Sequence, residues 1–214
     1  MQIQKIYLSW RLGKGKERRL VGTLQRLPNG FSFHYNQEAL TQAQQEGFAN
    51  YVAFPDTSTI YTEGVIEVFS RRLTQKSRAD SKYFFEFWHA NQPEYDDFDK
   101  LALTQGALPT DNFEFLADYK PQKDFVFVTD IAGLSLSKLP PNTIKLGDAL
   151  TYKLESYQTD EYAVKIMKDK TFIGYVKRGH NQFFHNLKGL QPLITVKDVD
   201  YNGVIKQIFV DVKL

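Results

Sequence analysis

Apolar residues recur at every second position near the start of the chain. Ile6, Leu8 and Trp10 alternate with polar neighbours, and Leu20, Val21 and Leu24, then Phe31, Phe33 and Tyr35, continue in short runs. A period of two is the signature of half-buried strands. The connectors "GKGKE" and "PNG" supply the residues that tight turns require. A small antiparallel sheet is therefore predicted. Asn36 stands where an N-cap would precede QEALTQAQQE, a polar segment that predicts a surface helix.

After an irregular, aromatic-rich segment broken by Pro55, the period lengthens. Val65, Ile66, Phe69 and Leu73 fall on one helical face, and Tyr83, Phe84, Phe87 and Trp88 predict a second helix after "SRAD". Tyr95, Phe98, Leu101 and Ala102 predict a third, opened by Pro93 and ended near Gly106. These make a helical cluster beside the N-terminal strands. "LADYKPQKD", polar and carrying Pro121, reads as a boundary, which gives domains of 1–120 and 121–214.

Beyond it the alternation returns. Phe125, Phe127 and Thr129 lead to Leu150, Tyr152 and Leu154, then to Tyr162, Val164 and Ile166. Phe172, Gly174 and Val176 alternate with Ile173 and Tyr175, and strands close around Ile194 and around Ile208, Val210 and Val212. "DK" at 169–170 and "NG" at 202–203 are hairpin turns. One helix fits, over Asn181–Lys188. The fold class is α+β: a small antiparallel sheet with a helical cluster, then a small curled β-sheet or barrel with one or two helices.

Composition narrows the function classes. The chain has 214 residues, 42% hydrophobic and 14% aromatic, enough for one large core or two small ones. A net charge of +2 gives no whole-chain electrostatic case for nucleic acid. The absence of cysteine excludes disulfides, thiolate metal sites and cysteine nucleophiles. The start lacks the apolar core of a secretory signal and no later segment is long enough to span a bilayer. A cytoplasmic protein without membrane partners is expected.

Candidate chemistry is sparse. His34 and His89 read as packing or surface residues, and His180 and His185, five apart, do not share a helix face as a zinc pair does. No metal and no cofactor is expected. "GKGKERR" lacks Walker spacing and reads as a solvated hairpin tip, with Lys14, Lys16, Arg18 and Arg19 able to touch phosphate or an acidic partner. Arg71, Arg72, Lys76 and Arg78 close a helix; they complement its C-terminal dipole or form a basic knob for a partner. Glu94, Asp96 and Asp97 favour a helix N-terminus rather than acid–base chemistry. Neither a Ser-His-Asp arrangement nor a dinucleotide fingerprint occurs, so no enzyme is expected.

Two resemblances add to this. "FVFVTDIAGLSL", "IKLGDALTYKLE" and "EYAVKIMKDKTFIGYVKR", followed by a helix and two strands, resemble a HIRAN domain over about 124–214. Gly133-Leu134, Gly147-Asp148, Ala163-Val164 and Gly174-Tyr175-Val176-Lys177-Arg178 occupy the family's landmarks. The resemblance implies an OB-like barrel and, in some members, binding of the 3′ end of single-stranded DNA by aromatic stacking. Ser135-Leu136-Ser137 stand here in place of the family's Arg-aromatic-aromatic segment, Lys177 replaces its proline, and "YQTDEYAV" is a shortened loop. The residues suited to contacting a strand are Tyr157, Tyr162, Lys177, Arg178, His180 and Asn181.

The first half, "IYLSWR…RRLVGTLQRLPNGFSFHYN", resembles the N-terminal β subdomain of HipA-type toxin kinases, without the kinase body. Together the resemblances imply a non-catalytic accessory or antitoxin that binds a HipA-like kinase or another toxin–antitoxin protein, with nucleic acid as a further candidate partner. The alternative is a stand-alone accessory of DNA repair or processing that binds single-stranded DNA.

Overall fold

The computed structural model describes residues 3–13, 15–75, 77–108, 110–157 and 160–214. The chain divides into two compact units, Met1–Asp118 and Tyr119–Leu214.

In the first unit, β1 (Lys5–Trp10), β2 (Arg19–Leu27), β3 (Gly30–Tyr35) and β4 (Phe113–Ala117) form one antiparallel sheet in the order β3-β2-β1-β4. The alternation foretells the first three. The fourth returns after the helices to pair with β1, from Ile6 opposite Ala117 to Trp10 opposite Phe113. Its last four residues are all buried, so no polar/apolar alternation marks it. Glu114 lies under that cover because Arg18 and Arg11 reach it, at 2.5 and 3.2 Å. At Gly22 a Cβ would stand 2.5 Å from the Phe33 ring, so only glycine lets that ring lie flat across β2.

The helices are α1 (Gln37–Gln45), α2 (Val65–Phe69) continued by a 3-10 turn (Ser70–Arg72), α3 (Ser81–Phe87) and α4 (Asp97–Thr104). Leu40 and Ala43 anchor α1. Asn36 precedes it but makes no cap; its amide donates to Leu20 O and its carbonyl accepts from the Thr23 hydroxyl, tying the helix entry to β2. Asp96 does cap α4, accepting from Asp99 N at 2.9 Å. The face of α3 differs from the expected one. Phe85 and Trp88 point inward, while Tyr83 is 71% exposed. A helix of two turns with five aromatic residues between Tyr83 and Trp88 offers two almost equal stripes, and neighbouring elements select one.

An aromatic cluster fills this unit, with Phe33, Phe54, Phe69 and Phe115 at centroid spacings of 5.0–5.3 Å. Such pairs contribute about 0.5–1.5 kcal/mol each beyond their buried area.

The second unit is a closed antiparallel barrel of six strands. They are β5 (Val126–Ala132), β6 (Ala149–Leu154), β7 (Val164–Lys168), β8 (Thr171–Val176), β9 (Leu193–Asn202) and β10 (Val204–Lys213), in the order β10-β5-β8-β7-β6-β9. Closure leaves no open sheet edge. Phe127, Val164, Ile166, Ile173, Ile194, Val196, Ile208, Val210 and Val212 fill the interior. Two short helices attach, α5 (Leu134–Ser137) and α6 (Asn181–His185), the latter stopping short of the expected Lys188. The β7–β8 turn places Asp169 at φ 52°, and the β9–β10 turn places Gly203 at φ 72°. Gly174 is required by packing. A Cβ there would lie 2.4 Å from Ala132 O and 2.5 Å from Ile131 Cγ2, where β5 crosses β8. Among the described residues no helix is long and apolar enough to cross a membrane.

Candidate nucleic-acid interface

Three neighbouring barrel strands, β6, β7 and β8, carry a row of outward side chains. Lys153 lies opposite Lys165, and Lys165 opposite Tyr175; residues paired across strands share a face. Strict alternation would put Phe172, three positions from Tyr175, on the other face. A bulge prevents this. Ile166 pairs with Gly174 while Met167 pairs with Phe172, which leaves Ile173 as the extra residue. Ile173 is buried, and Phe172 and Tyr175 are both half-buried, with ring centroids 5.2 Å apart at 63°. The sequence expectation that Phe172 follows Gly174 and Val176 is corrected by this bulge.

Glu155 follows β6, held by its N–H to Ala163 O at 2.9 Å. The Tyr157 hydroxyl donates to Glu155 Oε2. Lys165 Nζ and Lys153 Nζ stand 3.5 and 3.6 Å from Oε1. Lys165 also lies 5.2 Å from the Phe172 ring centre. The Tyr157 and Tyr175 hydroxyls are 3.3 Å apart, and their rings meet edge-on at 6.2 Å. Tyr157 keeps its place because its backbone exchanges two hydrogen bonds with Asp160, at 3.0 and 3.1 Å.

The hydroxyl of Tyr157, above all, holds the Glu155 carboxyl below the usual carboxylate range. Conversely the Glu155 carboxylate, with Tyr175 adding, raises the Tyr157 phenol well above its ordinary value. At neutral pH the face therefore presents an ionised acceptor and a protonated phenol, beside two lysine side chains and three aromatic rings. Flat aromatic surface beside cations is what a splayed nucleotide strand requires.

Of the six residues expected to contact a strand, only Tyr157, 45% exposed, stands on this face. Tyr162, 42% exposed, stacks edge-on with His185 at 5.4 Å, and its carbonyl accepts from Asn181 Nδ2 and His185 Nε2. Arg178 is half-buried, with Nε 4.0 Å from Asp160. The other three are buried and are corrected here. Lys177 forms an ion pair with Asp130 of β5. His180, 0% exposed, packs against the rings of Tyr119 and Phe127, at centroid distances of 5.1 and 5.6 Å, and shares a 2.9 Å hydrogen bond with Thr129. Asn181 accepts from Gly179 N and donates to Tyr162 O. The chain turns inward after β8 to enter α6, so these polar groups build the corner instead of lining a groove.

The basic cluster of the first unit is also taken apart. Arg72 is buried, donating to Asp111 at 2.7 and 2.8 Å and to Gly106 O at 2.8 Å, over the rings of Phe113 and Phe115. It is a packing residue, not part of a knob. Arg78 is exposed but bidentate to Asp80, at 3.0 and 2.8 Å. Arg71 is exposed and borders a shallow pocket of ≈ 290 Å³ with Leu73, Phe85, Asp97 and Lys100. Lys76 lies outside the described residues, as does Lys14 of the hairpin tip. In that tip Arg18 is buried against Glu114 and Arg19 binds Glu46 and Glu17, which leaves Lys16 exposed.

Burial raises the pKa of the Asp99 carboxyl, with Asp96 adding. It accepts from Ile3 N at 3.2 Å and Arg26 Nη2 at 3.0 Å, a tie between β2, α4 and the chain preceding β1. Among the described residues no group of three His, Asp or Glu side chains could hold a metal ion.

Phe172, Tyr175, Glu155, Lys153 and Lys165 were not singled out by the sequence. The available signal was the aromatic pair within "TFIGYV", but only the bulge brings its two rings to one face. In comparison with known proteins, no family model, no curated protein and no solved structure matches this chain.

Proposed function

We propose that this protein is a non-catalytic accessory whose barrel binds single-stranded nucleic acid on the outer face of β6, β7 and β8. The observation that supports it is the grouping of Phe172, Tyr175 and Tyr157 beside Lys153 and Lys165 on one sheet surface. Bases stack on such rings without regard to sequence, and the ammonium groups meet phosphate. The HIRAN-like, OB-like identity of the barrel fits this use and belongs to the same proposal. The interface differs from the one the resemblance implies, since Ser135-Leu136-Ser137 offer no ring and Lys177, His180 and Asn181 are buried. Fluorescence anisotropy with labelled single and double strands is the test. Binding of single strands, weakened in Phe172→Ala and Tyr175→Ala, is expected; no binding of any strand sinks the proposal.

A second part concerns the first unit. We take it as the docking body for a HipA-like kinase or a related toxin–antitoxin protein, supported by the resemblance of β1–β3 to the kinase subdomain and by Arg71 at an exposed pocket. Co-expression with a kinase encoded beside it should relieve toxicity and yield a co-purifying complex. Unrelieved toxicity and separate elution would remove this part and leave the first untouched.

A further inference from the structure

Resting on the nucleic-acid reading above, we infer that this face selects guanine, with the Glu155 carboxylate accepting from the two adjacent N–H groups of the base's Watson–Crick edge and Lys165 donating to its O6.

A carboxylate is an unexpected presence in a phosphate-binding surface, because it repels the strand's backbone. Here it sits among the rings, with Tyr157 donating to Oε2 and two lysines beside Oε1. An ionised carboxylate has about four acceptor positions. Two hydrogen bonds, from Tyr157 to Oε2 and from Lys165 to Oε1 at 3.5 Å, and one longer contact from Lys153 at 3.6 Å leave acceptor capacity on both oxygens. Held in its charged form by Tyr157, it accepts only and cannot donate. The two oxygens therefore match a base that offers two parallel N–H donors. Guanine does so, through N1 and the 2-amino group, in the fork geometry that carboxylates use with arginine. Adenine and cytosine offer an amino group beside a bare acceptor nitrogen, which faces the second oxygen repulsively. Thymine and uracil offer one N–H between two carbonyls.

Lys165 supplies the complementary donor. Its Nζ is 3.5 Å from Glu155 Oε1 and 5.2 Å from the centre of the Phe172 ring. A base stacked on Phe172 or Tyr175 thus has both an acceptor pair and a cation within one residue's reach. Glu155 also repels strands that cannot use it, so it acts against the wrong base as well as for the right one.

The test uses the full chain and short oligothymidylates carrying one central guanine, adenine, cytosine or thymine, in deoxyribo and ribo form, read by fluorescence anisotropy at fixed salt. A single guanine avoids four-stranded assemblies. The guanine strand is expected to bind roughly tenfold or more tighter than the others. Inosine in its place keeps N1–H and O6 but lacks the 2-amino group, and is expected to lose most of that preference. Glu155→Gln should lower affinity for the guanine strand and raise it for oligothymidylate, a crossing that mere loss of structure does not produce. The inosine arm needs no variant and stands even if Glu155→Gln fails to fold. Preference in either sugar form supports the inference. Equal binding of all strands, or inosine equal to guanine, overturns it and leaves the nucleic-acid reading intact; no binding of any strand overturns both.

Discussion

Phe172 and Tyr175 lie three positions apart in β8 yet share one face, their ring centroids 5.2 Å apart. The extra residue between them, Ile173, is buried, and the bulge that accommodates it turns both rings outward. Partly exposed aromatic rings of this kind are costly to keep on a barrel that has no other use for them, since each leaves apolar area in water.

If the rings stack on bases, truncating either one weakens binding. Phe172→Ala and Tyr175→Ala should each lose about 1–3 kcal/mol, or roughly 5- to 150-fold in Kd. Tyr83→Ala, on an exposed ring of the first unit, should change Kd less than twofold. Anisotropy titrations decide this, with circular dichroism to confirm the fold. Unchanged affinity in both barrel variants would remove the rings from the interface.

Few cations belong to this face, and that limits its salt dependence. On oligothymidylate, which offers Lys165 no guanine O6, Lys153 and Lys165 both contact phosphate, and log K should fall with log salt at a slope of about −1.4, counting about 0.7 per phosphate for single strands. Lys165→Ala should flatten it by about 0.7. A slope steeper than about −3 would mean that most phosphate contacts lie elsewhere on the protein.

The same register explains what the sequence could and could not show. Alternation at Ile6, Leu8 and Trp10, and at Val164 and Ile166, follows directly from strands with one wet face, and those elements are where it places them. β4 escaped because Phe115, Leu116 and Ala117 are buried in succession and Glu114 is buried with arginine partners, so neither period nor polarity marks it. The candidate site failed for a related reason. "KRGHN" reads as a basic, polar strip, but burial is decided by where the chain turns after β8, and Lys177 finds Asp130 forty-seven positions earlier in the chain. Tyr157 was found because exposed aromatics in a loop are visible in any register. Phe172 and Tyr175 depended on a bulge, which one extra residue creates and no local pattern announces.

Guanine preference should depend on pH in a defined direction. Tyr157 lowers the Glu155 pKa in the folded protein, so the charged carboxylate and its hydrogen bond are fully present above the ordinary carboxylate value and are lost as pH falls through the lowered one. The preference should stay flat from about pH 8 down to the ordinary glutamate value of about 4.3 and decline only below it. Tyr157→Phe removes the donor, returns Glu155 toward its ordinary value, and moves the onset of decline to higher pH. Anisotropy of the guanine and thymine strands across that range reads both effects. A preference in Tyr157→Phe that survives to lower pH than in the parent would contradict this linkage.

Arg71 and Arg72 are neighbours with opposite fates, and stability distinguishes them. Arg72→Ala strips Asp111 and the Gly106 carbonyl of their donor and empties space over Phe113 and Phe115. A loss of about 2–4 kcal/mol is expected, reduced from a fully buried pair because Asp111 is partly exposed. Arg71→Ala should stay within about 0.5 kcal/mol. Urea denaturation followed by tryptophan fluorescence measures both, since Trp10 and Trp88 lie in this unit. Should Arg71→Ala prove the more destabilising, the assignment of Arg72 as the packing residue would be wrong.

The barrel can be tested independently at its tightest seam. A Cβ at Gly174 would meet Ala132 O at 2.4 Å and Ile131 Cγ2 at 2.5 Å. The carbonyl is backbone and cannot rotate aside, so Gly174→Ala must part β5 from β8, where they pair only through Ile131–Val176 and Ala132–Tyr175. Overpacking of this kind costs about 1–3 kcal/mol where side chains can adjust, and more where they cannot. Tyr175 belongs to that short ladder, so the ring face should be displaced with it, and strand binding should fall even in molecules that remain folded. Both tryptophans lie outside the barrel's unit. Thermal melting by far-ultraviolet circular dichroism should therefore reveal a lowered barrel transition while tryptophan fluorescence melts as in the parent. Gly174→Ala with an unaltered barrel transition would show that the seam between β5 and β8 is looser than 2.4 Å implies.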